Sequence, residues 1–139
     1  DILIALGRMI DRKVLENIGE PSDTESPRDQ LFDVLMERYD VLNQFRPGLL
    51  SILESFKLDP KDAVISLPHL CKSMSWMMEA AGLNTNGWRG ALQLAGLTGV
   101  YIKALRVWKN DDSPDLAKVM ASLDKDLGRA ENLANMFGL

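Results

Sequence analysis

Residues 87–116, GWRGALQLAGLTGVYIKALRVWKNDDSPDL, carry the pattern that decides the predicted fold. The first part reads as a long helix with small residues on one face and a Trp near each end, Trp88 and Trp108. The charged segment 110–112 breaks this helix, and Ser113-Pro114 begins another helix whose apolar residues keep heptad spacing. The stretch therefore predicts two consecutive helices joined by a short turn.

The rest of the chain shows the same helical periodicity, interrupted by residues that begin and end helices. Ser26-Pro27 and Asp59-Pro60 each place a capping residue before a Pro at the first helical position. We predict an all-α six-helix bundle, one domain over residues 1–139, with helices over 2–18, 27–44, 49–56, 59–81, 88–109 and 114–136. In the first helix the polar residues are expected on the side away from the core: Arg8, Asp11, Arg12 and Glu16.

The composition bounds the class of protein. The chain has 139 residues, 46% of them hydrophobic and 26% charged, which indicates one folded domain with a real core. A net charge of −4 argues against a nucleic-acid-binding surface on this segment. One Cys excludes an internal disulfide and suits a reducing compartment, so we expect a cytoplasmic protein. The apolar runs are too short for a membrane span, and the first residues lack the basic region of a signal peptide.

The last two helices offer a candidate dimer interface. Ala91, Ala95 and Gly99 recur every four residues, and small residues at this spacing let a second helix approach closely. The heptad seam of the last helix suits helices packed about 20° from parallel, although a core helix of a monomer has the same spacing. The predicted interface comprises Ala91, Ala95, Gly99, Ile102, Met120, Leu123 and Leu127.

The fourth helix offers a candidate ligand wall. Pro68 is expected to kink it, because Pro lacks an N–H donor and clashes with the carbonyl four residues before it. One face is rich in Met, whose flexible side chain accommodates varied apolar ligands, although a Met stripe is also typical of plain core. The predicted ligand residues, with opposing walls, are Phe32, Met36, Leu49, Leu53, Leu70, Met74, Met77, Met78 and Leu92.

The sequence shows no catalytic signature. His69 has no carboxylate or Cys partner at ligand spacing and is interpreted as structural, and Cys71 as a small buried hydrophobe. Asp33, Glu37 and Asp40 are interpreted as a solvated acidic face, because no Glu-x-x-His pair accompanies them. No G-x-S-x-G motif is present. We therefore expect no enzyme, no metal and no cofactor.

The turn between the last two helices resembles a known signature. Trp108 followed by DDSPDL at 111–116 is similar to the W-x-x-D-x-S-x-D-[LF] signature near the C-terminus of the COQ9 family. The upstream order is also similar: Leu67-Pro68, Ser73-Met74, Trp76, Ala81-Gly82, Asn86 and Trp88. The resemblance covers roughly residues 46–139 and is greater to the bacterial members, described as TetR-family regulators, than to the mitochondrial ones.

The resemblance implies a TetR-type regulatory domain, a helical bundle that dimerises through its last two long helices around an apolar ligand site. In that family a helix-turn-helix precedes this domain, and we expect DNA binding only through such a segment, missing before Asp1. COQ9 proteins use the same fold to bind lipids beside a quinone-biosynthesis enzyme, and Trp88 matches part of their partner surface. Gly87 and Gly90 replace bulkier residues there, which disfavours this second role.

Three functional hypotheses follow. The first is the ligand-binding and dimerisation domain of a TetR-like, COQ9-related regulator that binds an apolar or lipid-like effector as a homodimer. The second is a COQ9-like accessory protein that presents a lipid or quinone precursor to an enzyme. The third is a helical dimerisation module that binds no ligand.

Overall fold

A computed structural model describes the backbone of residues 2–20, 24–58 and 60–138. It describes their side chains except at positions 2, 3, 53, 55–58, 60, 62 and 63. Six helices follow one another along the chain: α1 Ile2–Asn17, α2 Pro27–Gln44, α3 Arg46–Leu58, α4 Pro60–Ala80, α5 Gly87–Asn110 and α6 Ala117–Met136. Within the described ranges there is no β-strand, and the predicted all-α six-helix bundle is confirmed.

Local capping explains where α2 begins, and α3 begins earlier than expected. Ser26 is the N-cap of α2, and its hydroxyl oxygen accepts a hydrogen bond from the Asp29 N–H at 3.2 Å. We expected a break at residues 46–48, yet α3 begins at Arg46. Pro47 is tolerated there because the first turn of a helix needs no N–H donor from it.

The boundary of α6 differs more from the prediction. The helix begins at Ala117 instead of Pro114, because Leu116 takes a left-handed backbone conformation with φ of 54°. In the middle of the chain, α4 continues through Pro68, and the kink expected there stays a prediction.

Helix α2 lies at the centre of the bundle and packs against α1, α3, α4 and α6. Tyr39 is fully buried, and its hydroxyl donates to the Tyr101 carbonyl of α5 at 2.7 Å. The largest fully buried apolar side chains come from five helices and the turn before α6: Val14, Leu35, Tyr39, Met74, Met77, Met78, Trp108, Leu116 and Leu123. In the part of the chain that the structure describes, no helix is long and apolar enough to cross a bilayer.

Contacts between side chains fix the relative directions of the helices. Arg8 contacts His69 and Asp11 contacts Ser73, so α1 and α4 run the same way. The turn over 81–86 returns the chain, so that α5 runs against α4 and Thr98 reaches Cys71. These directions decide which side chains meet at each end of the bundle.

The glycines of α5 differ in their surroundings. A Cβ added at Gly90 would overlap the backbone of Thr85, so this glycine allows the turn after α4 to pack closely on α5. A Cβ at Gly96 or Gly99 would meet no described neighbour within 4 Å. Of these three glycines, Gly90 is therefore the one that allows close approach inside the described part of the chain.

We predict opposite effects for Gly90→Ala and Gly96→Ala on the free energy of unfolding in urea. Gly90→Ala should lower it by about 1–3 kcal/mol, because the added methyl overlaps backbone that cannot rotate away. Gly96→Ala should raise it by about 0.5–1 kcal/mol, because Ala restricts the unfolded chain and clashes with nothing. A Gly90→Ala protein as stable as the wild type would contradict the close contact with Thr85.

Candidate functional site

Besides a more open depression of about 590 Å3 that is bounded by Arg8, Arg12 and Glu79 among others, the described part of the bundle has two cavities with mostly apolar walls. The larger one, about 490 Å3, lies among α1–α5 and is called the N-terminal cavity here. The smaller one, about 320 Å3, lies among α2, α4, α5 and α6 and is called the C-terminal cavity. Helix α5 lines both, with Tyr101 and Ile102 in the first and Gly96 and Leu97 in the second.

The predicted ligand residues do not form one site. Leu49 and Leu70 line the N-terminal cavity, whereas Met78 and Leu92 line the C-terminal cavity. For four other residues the prediction is corrected, because they pack in the core and line neither cavity: Phe32, Met36, Met74 and Met77. The reason is that α2, which carries Phe32 and Met36, and α4, which carries Met74 and Met77, are each covered by four other helices. The side chain of Leu53 lies outside the described part of the chain.

A buried ion pair stands at one end of the N-terminal cavity. Asp11 and Arg38 are 1% and 3% exposed, and the Arg38 Nη1 donates to Asp11 Oδ1. The placement of Asp11 on the outer side of α1 was therefore wrong. Burial lowers the pKa of Arg38, but the nearby Tyr101 and Asp11 raise it more, so its pKa lies above the usual value.

Further polar side chains complete this arrangement, which we call the polar cluster: Arg8, Asp11, Arg38, His69, Ser73 and Tyr101. Asp11 Oδ2 accepts from the Ser73 hydroxyl at 2.7 Å and from Arg8 Nη1 at 3.1 Å. Arg38 Nε donates to the Tyr101 hydroxyl at 2.9 Å. The second guanidinium nitrogen of Arg8 lies 3.3 Å from His69 Nδ1. Four helices therefore supply polar groups to one end of an apolar cavity.

Sequence reasoning missed the polar cluster. The available signal was the presence of Asp11 and Arg38 among residues that are otherwise apolar at helical spacing. His69 also has partners that spacing along one helix does not reveal, since Arg8 reaches it from α1. The interpretation of His69 as a structural residue stays a prediction, and its side chain lines the N-terminal cavity.

Two polar atoms in the wall of the N-terminal cavity lack hydrogen-bond partners among the described residues. Trp108 is fully buried and its indole N–H is unpaired, although the Arg46 guanidinium lies 4.8 Å from the ring centroid. The Ser66 hydroxyl is also buried and unpaired. Buried donors usually find a partner, so each unpaired donor is a candidate contact for a molecule in the cavity.

The segment of the predicted signature acts as a helix cap. Asp111 is fully buried, and its Oδ2 accepts from the N–H groups of Lys118 and Val119 at 3.0 and 3.1 Å. Its Oδ1 accepts from the backbone N–H and hydroxyl of Ser113. Burial raises the pKa of Asp111, but these hydrogen bonds lower it more, so its pKa lies below the usual value. Leu116 then packs into the core.

The predicted dimer residues divide into two groups. Ala91, Ala95 and Gly99 are exposed on α5, and Met120 is 41% exposed on α6. In contrast, Leu123 and Leu127 are 0% and 5% exposed.

For these two leucines the interface prediction is corrected. The heptad seam of α6 packs on the core of its own chain over this part, so neither side chain is available to a second copy. Ile102 is half-buried and lines the N-terminal cavity, and the proposed partner contact Trp88 is 65% exposed.

The chain matches no family model, and neither the curated proteins nor the solved structures give a match. The resemblance to the COQ9 family and to TetR-type domains therefore stays a prediction based on the residues themselves. Any function has to be argued from the cavities, the polar cluster and the exposed faces of this chain.

We predict that Asp111→Ala lowers the free energy of unfolding by about 1.5–3 kcal/mol at pH 7, because it removes a charged acceptor of several hydrogen bonds. The exposed neighbour gives the control Asp112→Ala, which should change it by less than about 0.5 kcal/mol. The native pKa of Asp111 is lowered, so its stabilisation is complete above the unfolded pKa of about 4 and is lost as the pH falls through the native pKa. Urea unfolding over a pH series measures this. Equal losses at every pH would contradict the charged cap.

Proposed function

We propose that this chain is a ligand-binding and dimerisation domain of the TetR-like, COQ9-related type, with an apolar or lipid-like effector in the N-terminal cavity. The observation that carries the proposal is a cavity of about 490 Å3 whose walls are mostly apolar and whose charged groups converge at one end. Pockets for small molecules typically combine apolar walls with a few placed polar groups. The cavity also opens to the surface, since Val64 and Leu67 in its wall are 72% and 47% exposed, so a ligand could enter it.

The exposed faces of α5 and α6 support dimerisation with a second copy. Small residues leave the backbone of α5 accessible at Ala91, Ala95 and Gly99. Near the end of α6, Leu133 and Phe137 are 54% and 74% exposed, and both lie at the C-terminal cavity together with Leu92. Apolar side chains grouped in this way indicate an interaction surface. A second copy seated there would cover the C-terminal cavity.

Helix α5 connects the two parts of the proposal. Its Ile102 and Leu105 line the N-terminal cavity, while Ala95 and Gly99 lie exposed on the same helix. A ligand that moves α5 would therefore alter the proposed dimer surface. Regulation requires the ligand to bind two arrangements of the domain with different affinity. In the TetR family the response would pass to a helix-turn-helix that precedes such a domain.

The accessory role is the alternative, and the exposure of Trp88 favours it. The side chain is 65% exposed, and the Arg89 guanidinium lies 5.5 Å from its ring centroid. An exposed Trp is typical of contact surfaces between proteins. In this second candidate function the cavity would hold a lipid or quinone precursor, and Trp88 would contact the enzyme that receives it.

We predict that the wild type binds Nile red, a neutral apolar dye, with a rise in dye fluorescence. Leu70→Trp places an indole in the N-terminal cavity and should weaken dye binding by about tenfold or more, given an overpacking cost of about 1–3 kcal/mol. Leu92→Trp is the matched control because it adds the same bulk at the C-terminal cavity. Dye titration measures both, with circular dichroism as the check of folding. If the wild type binds no dye, both ligand-binding hypotheses are contradicted, and the third hypothesis, a dimerisation module without a ligand, remains.

We predict that the wild type has the mass of a dimer in light scattering and that Ala95→Leu gives a monomer. The added side chain projects from the exposed small-residue face and prevents close approach of a second α5. Ala5→Leu, at an exposed position of α1, is the control and should remain dimeric. If Ala95→Leu were still dimeric, this face of α5 would not be the interface.

A further inference from the structure

The polar end of the N-terminal cavity carries more positive than negative charge. Of the described residues that line the cavity, Arg8 and Arg38 are cations and none is an acid. Asp11 is the carboxylate that binds both guanidinium groups. A guanidinium stays protonated in proteins, so two positive charges share one negative charge at this end. Arg8 is partly exposed, so water can reach the excess charge in the empty cavity, and a negatively charged group bound there would neutralise it.

The two arginines also have donor capacity beyond the contacts inside the chain. A guanidinium has five N–H donors. Arg8 uses Nη1 for Asp11 and Ser73 and places Nη2 near His69, while Arg38 uses Nε for Tyr101 and Nη1 for Asp11. Arg8 is the more accessible of the two, with 26% of its side chain exposed against 4% for Arg38. Its guanidinium also lies 4.7 Å from the ring centroid of Trp76, and it borders a second depression together with Glu79. Of the two arginines, Arg8 is therefore the one that a ligand could reach.

The cavity has a polar end and an apolar end. Because α1 and α4 run the same way, Ile4 and Val64 lie away from Arg8 and Ser73, toward the starts of these helices. Because α5 runs the opposite way, Leu105 and Trp108 lie toward that same apolar end, beyond Tyr101. A molecule that fills the cavity would therefore meet cationic groups at one end. Along the rest it would meet mostly apolar side chains, with the Trp108 N–H and the Ser66 hydroxyl as neutral polar groups.

We propose that the effector is an amphipathic anion, with one negatively charged head at Arg8 and an apolar tail directed toward Trp108. The inference rests on the proposed ligand function and adds the chemical class of the ligand. A carboxylate head would complete the charge balance of the polar cluster and would accept charge-assisted hydrogen bonds from Arg8. A cationic head would be repelled by the same groups, and a neutral head would leave the excess charge unpaired.

The test uses three probes with the same ten-carbon tail: decanoate, decanol and decylammonium, each displacing Nile red from the wild type below its micelle concentration. Decanoate should displace the dye at a concentration about tenfold lower than decanol, as expected for hydrogen bonds to a charged group. Decylammonium should be the weakest competitor. Added salt should weaken the binding of decanoate and leave that of decanol unchanged, which tests the charge without any substitution.

Arg8→Gln tests the residue. It should weaken the binding of decanoate about tenfold and change the binding of decanol little, because only decanoate has a charge to pair with Arg8. The variant should still fold, because Asp11 keeps Arg38 and Ser73 as partners. Arg106→Gln makes the same charge change at an exposed position of α5 outside the cavity and should leave all three probes unchanged. Equal competition by decanoate and decanol in the wild type, or equal losses for both in Arg8→Gln, would overturn the inference. If Nile red still binds in these cases, the proposed function stands without the inference about the charge of the ligand. If the dye does not bind the wild type at all, both the proposed ligand function and this inference are wrong.

Discussion

The buried pair of Asp11 and Arg38 is the interaction on which the arrangement around the N-terminal cavity depends. It joins α1 to α2, and through Ser73 and Tyr101 it also fixes α4 and α5. Removing charges from water costs free energy, so a buried ion pair is stable only where its remaining donors and acceptors also have hydrogen-bond partners. Both oxygens of Asp11 have partners here. Loss of Asp11 would leave Arg38 buried without a carboxylate partner, typically at a cost of about 3–5 kcal/mol, whereas loss of Arg38 would leave Asp11 paired with Arg8.

The fold was predictable from the sequence where the decisive interaction is local. Helix α2 begins where Ser26 and Pro27 indicate, because an N-cap bond spans only three residues. The start of α6 was not predictable in this way. Asp111 reaches Lys118 and Val119, seven and eight residues further along, and Leu116 between them adopts the left-handed conformation. Spacing rules for helix starts do not include such a cap.

The candidate site was predictable only in part, for a related reason. Helical periodicity placed Leu49 and Leu70 on faces directed toward a ligand site, and both line the N-terminal cavity. Periodicity cannot tell which apolar side chains face a void, and Met74 and Met77 pack in the core instead. The polar cluster joins residues far apart in the chain, with Asp11 and Ser73 separated by 62 positions. A sequence without aligned relatives carries no record of such pairs.

Helix α5 separates the two cavities, and this placement limits how the domain could respond to a ligand. Its surface contributes Tyr101 to the polar cluster and Gly96 to the C-terminal cavity, so a shift of the helix changes both. A packed helix moves as a unit because close-packed interiors transmit displacement. In the proposed function a second copy would cover the apolar residues around the C-terminal cavity, and the effector would place an anion at the polar cluster. Because α5 contributes to both sites, ligand binding could then be coupled to association, provided that the ligand favours one position of α5 over another.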